Sequence, residues 1–179
     1  IGGNQALAMG LVAGCKLAGL PLYYGSYPIT PASDVLHALS RYKNYGVTTF
    51  QAEDEIAAIC SAIGASYAGK LGVTSSSGPG ISLKTEAMGL AVATELPLVI
   101  VNSQRAGPST GMPTKTEQSD LLNALNPAHG DVLLPVIAPG TVEECFYATV
   151  AAFNWAERYQ GPVVLMSEHS LSEREQNIR

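Results

Sequence analysis

Short apolar runs rich in Val, Leu and Ile recur along the chain, each separated from the next by a longer stretch of helical period, and this alternation limits the fold more than any other feature. The runs fall at Leu22–Gly25, Val47–Gln51, Gly72–Ser75, Leu98–Asn102, Leu133–Ile137 and Val163–Ser167. Helical periodicity covers Asn4 to about Ala18, then stretches near Ala32–Arg41, Asp54–Ala68, Ile81–Thr94, Glu117–Leu125 and Val142–Arg158. Six short strands separated by helices predict a doubly wound α/β fold, a six-stranded and mostly parallel sheet with helices on both faces and right-handed crossovers. In the first helical stretch Ala6, Leu7, Met9, Gly10, Ala13, Cys15 and Leu17 leave little polar face, so it should be buried, and Gly19 should stop it.

Composition sets the scale. A chain of 179 residues, 46% hydrophobic and 14% charged, can close a sizeable core and is not disordered. No linker, repeat or low-complexity tract interrupts it, so residues 1–179 are expected to form a single domain. Eighteen glycines against 7% aromatics suit close packing of helices on a sheet. No window reaches the roughly 18 apolar residues of a membrane span, and no basic stretch leads into a cleavable leader, which predicts a cytoplasmic protein without a membrane partner. A net charge of −5 and the lack of any Lys/Arg cluster argue against nucleic acid. Cys15, Cys60 and Cys145 stand far apart in apolar stretches and read as buried reduced thiols. His37, His129 and His169 match no metal-ligand spacing, so no metal site is expected in this chain. The chain begins Ile1-Gly2-Gly3 without Met and turns polar and charged after the final strand, as a processed chain or a piece of a longer subunit would.

In a doubly wound sheet the ligand lies at the carboxyl ends of the strands, so chemistry is sought just after each apolar run. After the first comes Tyr27-Pro28-Ile29-Thr30-Pro31, where Thr30 reads either as a helix N-cap ahead of Pro31 or as a hydroxyl that two prolines hold in the crevice. After the second comes Gln51-Ala52-Glu53-Asp54-Glu55, whose carboxylates suit the positive end of a helix dipole. Glu53 and Glu55 point to different faces, and one should turn inward. After the third comes Ser75-Ser76-Ser77-Gly78-Pro79-Gly80, a Gly-rich turn with amides for an anion or a heterocycle edge. It lacks a P-loop Lys, and no G-x-G-x-x-G follows any strand, which disfavours nucleoside triphosphates and dinucleotides. After the fourth, Arg105 opens a long polar loop running to Lys115 and is either a helix or surface partner or a fork for a substrate carboxylate. No G-x-S-x-G elbow is present.

Together, Tyr27–Asp34, Phe50–Glu55, Thr74–Gly80, Thr94-Glu95-Leu96-Pro97 and Gly107-Pro108-Ser109-Thr110-Gly111 closely resemble the α subunit of 2-oxoacid:ferredoxin oxidoreductases, the 2-oxoglutarate type above all. The resemblance runs over nearly the whole chain and implies the pyrimidine-binding domain of a thiamine diphosphate enzyme. It implies oxidative decarboxylation of a 2-oxoacid to an acyl-CoA with reduction of ferredoxin. In that family a glutamate hydrogen-bonds N1′ of the aminopyrimidine, and its proton drives the tautomer change by which the cofactor's own amine deprotonates C2. The role is carried to Glu55, which precedes Gly64 and Gly69 at the family's spacing, with Glu53 as the fallback. By the same resemblance Thr30 and Arg105 contact the substrate, while Pro28, Ile29, Ser77 and Gly78 line the pyrimidine pocket.

The family's G-D-G segment with its later Asn, which holds the diphosphate through Mg²⁺, has no counterpart, since Gly130-Asp131 is followed by Val132. Clustered cysteines for an iron–sulfur centre are missing too. The resemblance therefore implies a β subunit carrying the Mg²⁺ site and the cluster, within a hetero-oligomer that also meets ferredoxin, coenzyme A and the 2-oxoacid. Two other readings stand beside it: a two-chain thiamine decarboxylase without an electron acceptor, and a non-catalytic α/β binding module.

Overall fold

A computed structural model describes residues 1–178. Its elements run α1 (Gly3–Ala18), β1 (Leu22–Ser26), α2 (Ser33–Leu39), β2 (Val47–Gln51), α3 (Glu55–Tyr67), β3 (Leu71–Ser76), α4 (Gly78–Leu83), α5 (Thr85–Ala93), β4 (Leu98–Gln104), α6 (Leu121–Leu125), β5 (Val136–Ile137), α7 (Val142–Tyr159), β6 (Pro162–Glu168) and α8 (His169–Glu173). The six strands pair in the order β2-β1-β3-β4-β6-β5, and every pairing is parallel. The fold expected from the alternation of apolar runs and helical stretches is thus the fold observed.

Successive residues of the central strands feed opposite cores, as the two-residue period of a strand requires. Val99 and Val101 of β4 join α1, α2 and α7 on one face, while Leu98 and Ile100 join α3, α5 and α6 on the other. Buried on both sides, these strands read as continuous apolar runs. The chain moves from β1 outward to β2, then back across β1 to β3, so the strand order reverses between β1 and β3. That reversal opens a crevice at the carboxyl edge, where a ligand binds in sheets of this kind.

Four elements depart from expectation. The last edge strand shrinks to Val136–Ile137 because Pro135 has no N–H for a ladder, although its carbonyl still accepts from Val164 N at 2.9 Å. The helix expected near Glu117–Leu125 keeps only Leu121–Leu125: the Glu117 carboxylate takes Gly107 N–H, and Asp120 N–H goes to Gln104 Oε1, binding the segment to other loops. The helix expected over Ile81–Thr94 is two helices that meet at Lys84, whose amine turns into the interior. Helix α2 begins at Ser33, so Thr30 is not its cap, and a 3-10 turn over Ser40–Tyr45 replaces its expected last turn.

Candidate active site

The carboxyl edge of β3 and β4 is a buried polar layer of Thr74, Ser75, Ser76 and Ser77 beside Asn102, Ser103, Gln104 and Arg105. Polar groups withdrawn from water need partners, and most have them. Tyr24 Oη bonds Ser75 Oγ, Ser77 Oγ donates to Ser103 O at 2.7 Å, and Gln104 Nε2 donates to Ser167 O at 3.2 Å. Asn102 Nδ2 donates to Asp120 Oδ2 at 3.1 Å. The hydroxyls of Ser26, at the end of β1, and of Ser76, at the end of β3, are buried without a partner. They flank the reversal of strand order.

The three acids after β2 separate by position. Asp54 is the N-cap of α3 and accepts from Ala57 N at 2.7 Å. Glu53 is exposed in the preceding bend, whereas Glu55, the first helical residue, is 9% exposed. No group among the described residues donates to the Glu55 carboxylate. Opposite it lies Gly80 in α4, where a Cβ would stand 3.0 Å from Glu55 Oε1 and 2.8 Å from its Cγ and would overlap Ser76 Oγ. Only glycine permits so close an approach. The other carboxylate buried to a similar degree, Glu168, is consumed capping α8 through Ser170 N and Leu171 N.

Arg105 leaves the end of β4 into the long loop and is 6% exposed. Its Nη1 donates to Thr30 O and its Nη2 to Thr110 O, each at 2.8 Å, while Nε–H is buried with no acceptor. Burial pulls the guanidinium below its ordinary pKa, and no carboxylate among the described residues compensates within 4.0 Å. The clasp fastens two turns to one residue. The peptide bonds Thr30–Pro31 and Gly107–Pro108 in those turns are both cis.

The remaining expected residues are placed as follows. Thr30 and Pro28 are exposed. Ile29 spends its N–H on Ser33 Oγ at 2.8 Å, and its carbonyl accepts from Ser33 N. Ser77 precedes α4, and Gly78 opens it facing the Asp120 carboxylate. Gly78, Arg105 and Thr110 share a cavity of about 610 Å³ with Glu117 and Asp120. The structure therefore joins Thr30 to Arg105 and brings Gly78 and Arg105 to one cavity, while no hydrogen bond or ion pair links Glu55 to that group.

Lys84 was not among the expected residues. It is fully buried, and its Nζ donates to Glu55 O at 3.1 Å and Thr74 Oγ1 at 3.0 Å. Its signal lay in the spacing: Lys84 stands three residues after Ile81 and four before Met88, on the buried stripe that continues to Ala91.

No three His, Cys, Asp or Glu side chains converge as metal ligands among the described residues, and no helix among them is long and apolar enough to cross a membrane. Among the described residues the three cysteines are free and do not converge, so they do not form the ligand set of an iron–sulfur cluster. The Glu55 carboxyl, buried with no donor among the described residues, and the unpartnered Ser76 hydroxyl, both packed against Gly80, are groups that suit the edge of a nitrogen-bearing heterocycle.

Fold and crevice define the class: a parallel α/β sheet whose strand order reverses beside a buried polar carboxyl edge. The family described as "Pyruvate flavodoxin/ferredoxin oxidoreductase, thiamine diP-bdg" matches residues 9–179, and the chain belongs to it. It is 58% identical over 172 residues to the 2-oxoglutarate oxidoreductase subunit KorA of Mycobacterium tuberculosis, covering 96% of this chain and 26% of that one. It is 42% identical to the 2-oxoglutarate synthase subunit KorA of Archaeoglobus fulgidus, covering 99% of this chain and 50% of that one. Among solved structures, the 2-oxoglutarate:ferredoxin oxidoreductase from Magnetococcus marinus, with 2-oxoglutarate, coenzyme A and succinyl-CoA bound, superposes with a TM-score of 0.89 at 45% identity, over 97% of this chain and 30% of that one. The chain thus spans from about a quarter to half of the length of these relatives.

Proposed function

We propose that this chain supplies the aminopyrimidine and substrate side of the active site in a thiamine diphosphate-dependent 2-oxoacid:ferredoxin oxidoreductase that acts on 2-oxoglutarate. One observation carries the reading: the Glu55 carboxyl, after β2 at the carboxyl edge of the sheet, is buried with no donor among the described residues and packs against Gly80, where any side chain would collide with it. Family membership supports the cofactor, and the names of the relatives support the oxoacid.

Thiamine diphosphate, when bound, supplies the electron sink that lets a 2-oxoacid lose its carboxyl group as carbon dioxide. Glu55 holds a proton at its carboxyl oxygen and exchanges it with the pyrimidine nitrogen N1′. Pro28, the Ile29 backbone, Ser77 and Gly78 line the pyrimidine pocket. Arg105 offers the oxoacid carboxylate its unpaired Nε–H and the N–H groups left over from the two loop carbonyls. Thr30, on the same clasp, presents its hydroxyl to the keto group. A β subunit carries Mg²⁺ and the iron–sulfur cluster, the electrons leave to ferredoxin, and coenzyme A accepts the acyl group. The stretch acts as one pyrimidine-binding domain of a cytoplasmic hetero-oligomer.

The test is an anaerobic assay of the assembled enzyme with a series of 2-oxoacids. The reading predicts coenzyme A-dependent ferredoxin reduction, fastest with 2-oxoglutarate. Preference for pyruvate would reassign the substrate, and carbon dioxide release without ferredoxin reduction would make the enzyme a non-redox decarboxylase.

A further inference from the structure

A lysine with no exposed surface forgoes the hydration of its ammonium, and sequences place lysine there only where protein groups replace the lost water. Lys84 meets two acceptors, the main-chain carbonyl of Glu55 and the hydroxyl of Thr74, and forms no ion pair within 4.0 Å. Both acceptors belong to the crevice. Thr74 lies in the polar end of β3, and the Glu55 carbonyl lies in the first turn of α3, whose first residue carries the buried carboxyl. Lys84 itself sits at the break between α4 and α5, four residues after Gly80. One amine therefore connects the three elements that surround the Glu55 carboxyl: α3, β3 and the α4–α5 junction.

We infer that Lys84 is a positioning residue, whose buried amine clamps the Glu55 main chain to the edge of β3 and so holds the Glu55 carboxyl in its place against Gly80. The inference rests on the reading of Glu55 given above and deepens it. A helix start fastened only by its N-cap, Asp54, can tilt about that residue. A second tie from inside the core fixes the angle at which the carboxyl enters the crevice. Displacement of a reacting group by about an ångström costs on the order of a hundredfold in rate, so such a tie is kinetically worth its desolvation. The titratable groups acting on the amine are Glu55, Asp54 and Cys60, on or capping α3, and β3 turns only the Thr74 hydroxyl to it. Burial outweighs them and lowers the lysine to about 8.

The test uses the full-length subunit assembled with its partner. Lys84→Met keeps the length of the side chain and removes the donor, Thr74→Val removes one acceptor, and Thr74→Ser restores it. Lys84→Met is expected to lower kcat about tenfold to a hundredfold, with KM for the oxoacid and affinity for thiamine diphosphate within about threefold of the parent. Thr74→Val should fall between the two, and Thr74→Ser should match the parent.

A readout independent of turnover is the melting temperature against pH. A lysine lowered to about 8 in the folded protein and near its ordinary value when unfolded binds fewer protons folded than unfolded between those values, so stability rises with pH across that window. Lys84→Met should lack that increment.

Parent-like kcat in both Lys84→Met and Thr74→Val, with Glu55→Gln inactive, overturns the inference and leaves the reading of Glu55 intact. Full activity in Glu55→Gln overturns that reading instead. Should Lys84→Met fail to assemble, Thr74→Val decides alone: parent-like kcat contradicts the clamp, and a fall in kcat that Thr74→Ser rescues supports it.

Discussion

The Arg105 guanidinium is only partly satisfied by the fold. Its two terminal nitrogens hold the carbonyls of Thr30 and Thr110, and its Nε–H is buried with nothing to donate to. A charge-assisted hydrogen bond to a substrate carboxylate contributes about 1.5–3 kcal/mol, so Arg105→Ala is expected to lose roughly one to two powers of ten in kcat/KM for the oxoacid. Lysine restores the charge without the planar fork, so Arg105→Lys should recover only part of the loss. Thiamine diphosphate affinity in the assembled enzyme should stay near the parent value in both variants. An equal loss of cofactor binding would place the guanidinium in an architectural role. At this scale the sequence was uneven. Glu55 could be distinguished from its neighbours only as one of two candidates, because three acids at a helix start all suit the dipole; the fold separates their positions by giving Asp54 the cap, burying Glu55 and exposing Glu53. Lys84 went unnoticed because a single charge in an apolar stretch looks like a solvent-facing residue until the helical stripe is drawn.

Elements were more legible than residues, because burial on both sides of a parallel sheet leaves unmistakable apolar runs. Five of the six expected strands match in place. The exception, β5, lost its first residues to Pro135, and the helices that shifted did so where side chains bind distant backbone, as Glu117 does at Gly107. Packing of α1 on α7 rests on close approach at Gly10, where a Cβ would run into Thr149 Oγ1 and the Phe146 carbonyl. Both obstacles belong to one helix, one of them being backbone, so they cannot simply rotate away. Overpacking of this kind costs about 1–3 kcal/mol. Gly10→Ala is accordingly expected to lower the denaturant midpoint without changing kcat per folded enzyme, since Gly10, Phe146 and Thr149 line no part of the cavity at Arg105. A variant as stable as the parent would show that α7 can slide away from α1.

Across the whole molecule, a reversal of strand order between β1 and β3 gathers residues distant in sequence at one edge of the sheet: Ser26, Glu55, Ser76 and Arg105 each follow or end a different strand. At that edge the chain places a buried carboxyl and a buried guanidinium, and no three His, Cys, Asp or Glu side chains among the described residues converge on a metal. The stretch covers 26% to 50% of its named relatives. Family and crevice could be read from five short segments because four of them fall at or just after the end of a strand, where the fold concentrates function, while Thr94–Pro97 leads into β4. The division of labour within the Arg105 clasp could not, since it depends on which loop carbonyls the fold brings to the guanidinium.

The central claim is that the Glu55 carboxyl carries the proton that the pyrimidine ring exchanges. Its most direct test is turnover of the assembled enzyme with Glu55→Gln beside Glu53→Gln, each measured at saturating oxoacid and cofactor. An amide keeps the shape of the side chain but cannot exchange a proton as a carboxyl does. The account predicts that Glu55→Gln folds and assembles yet loses turnover by about a hundredfold or more, the usual range for removing a general acid–base group, while Glu53→Gln stays close to the parent. Turnover that survives in Glu55→Gln and collapses in Glu53→Gln would contradict it.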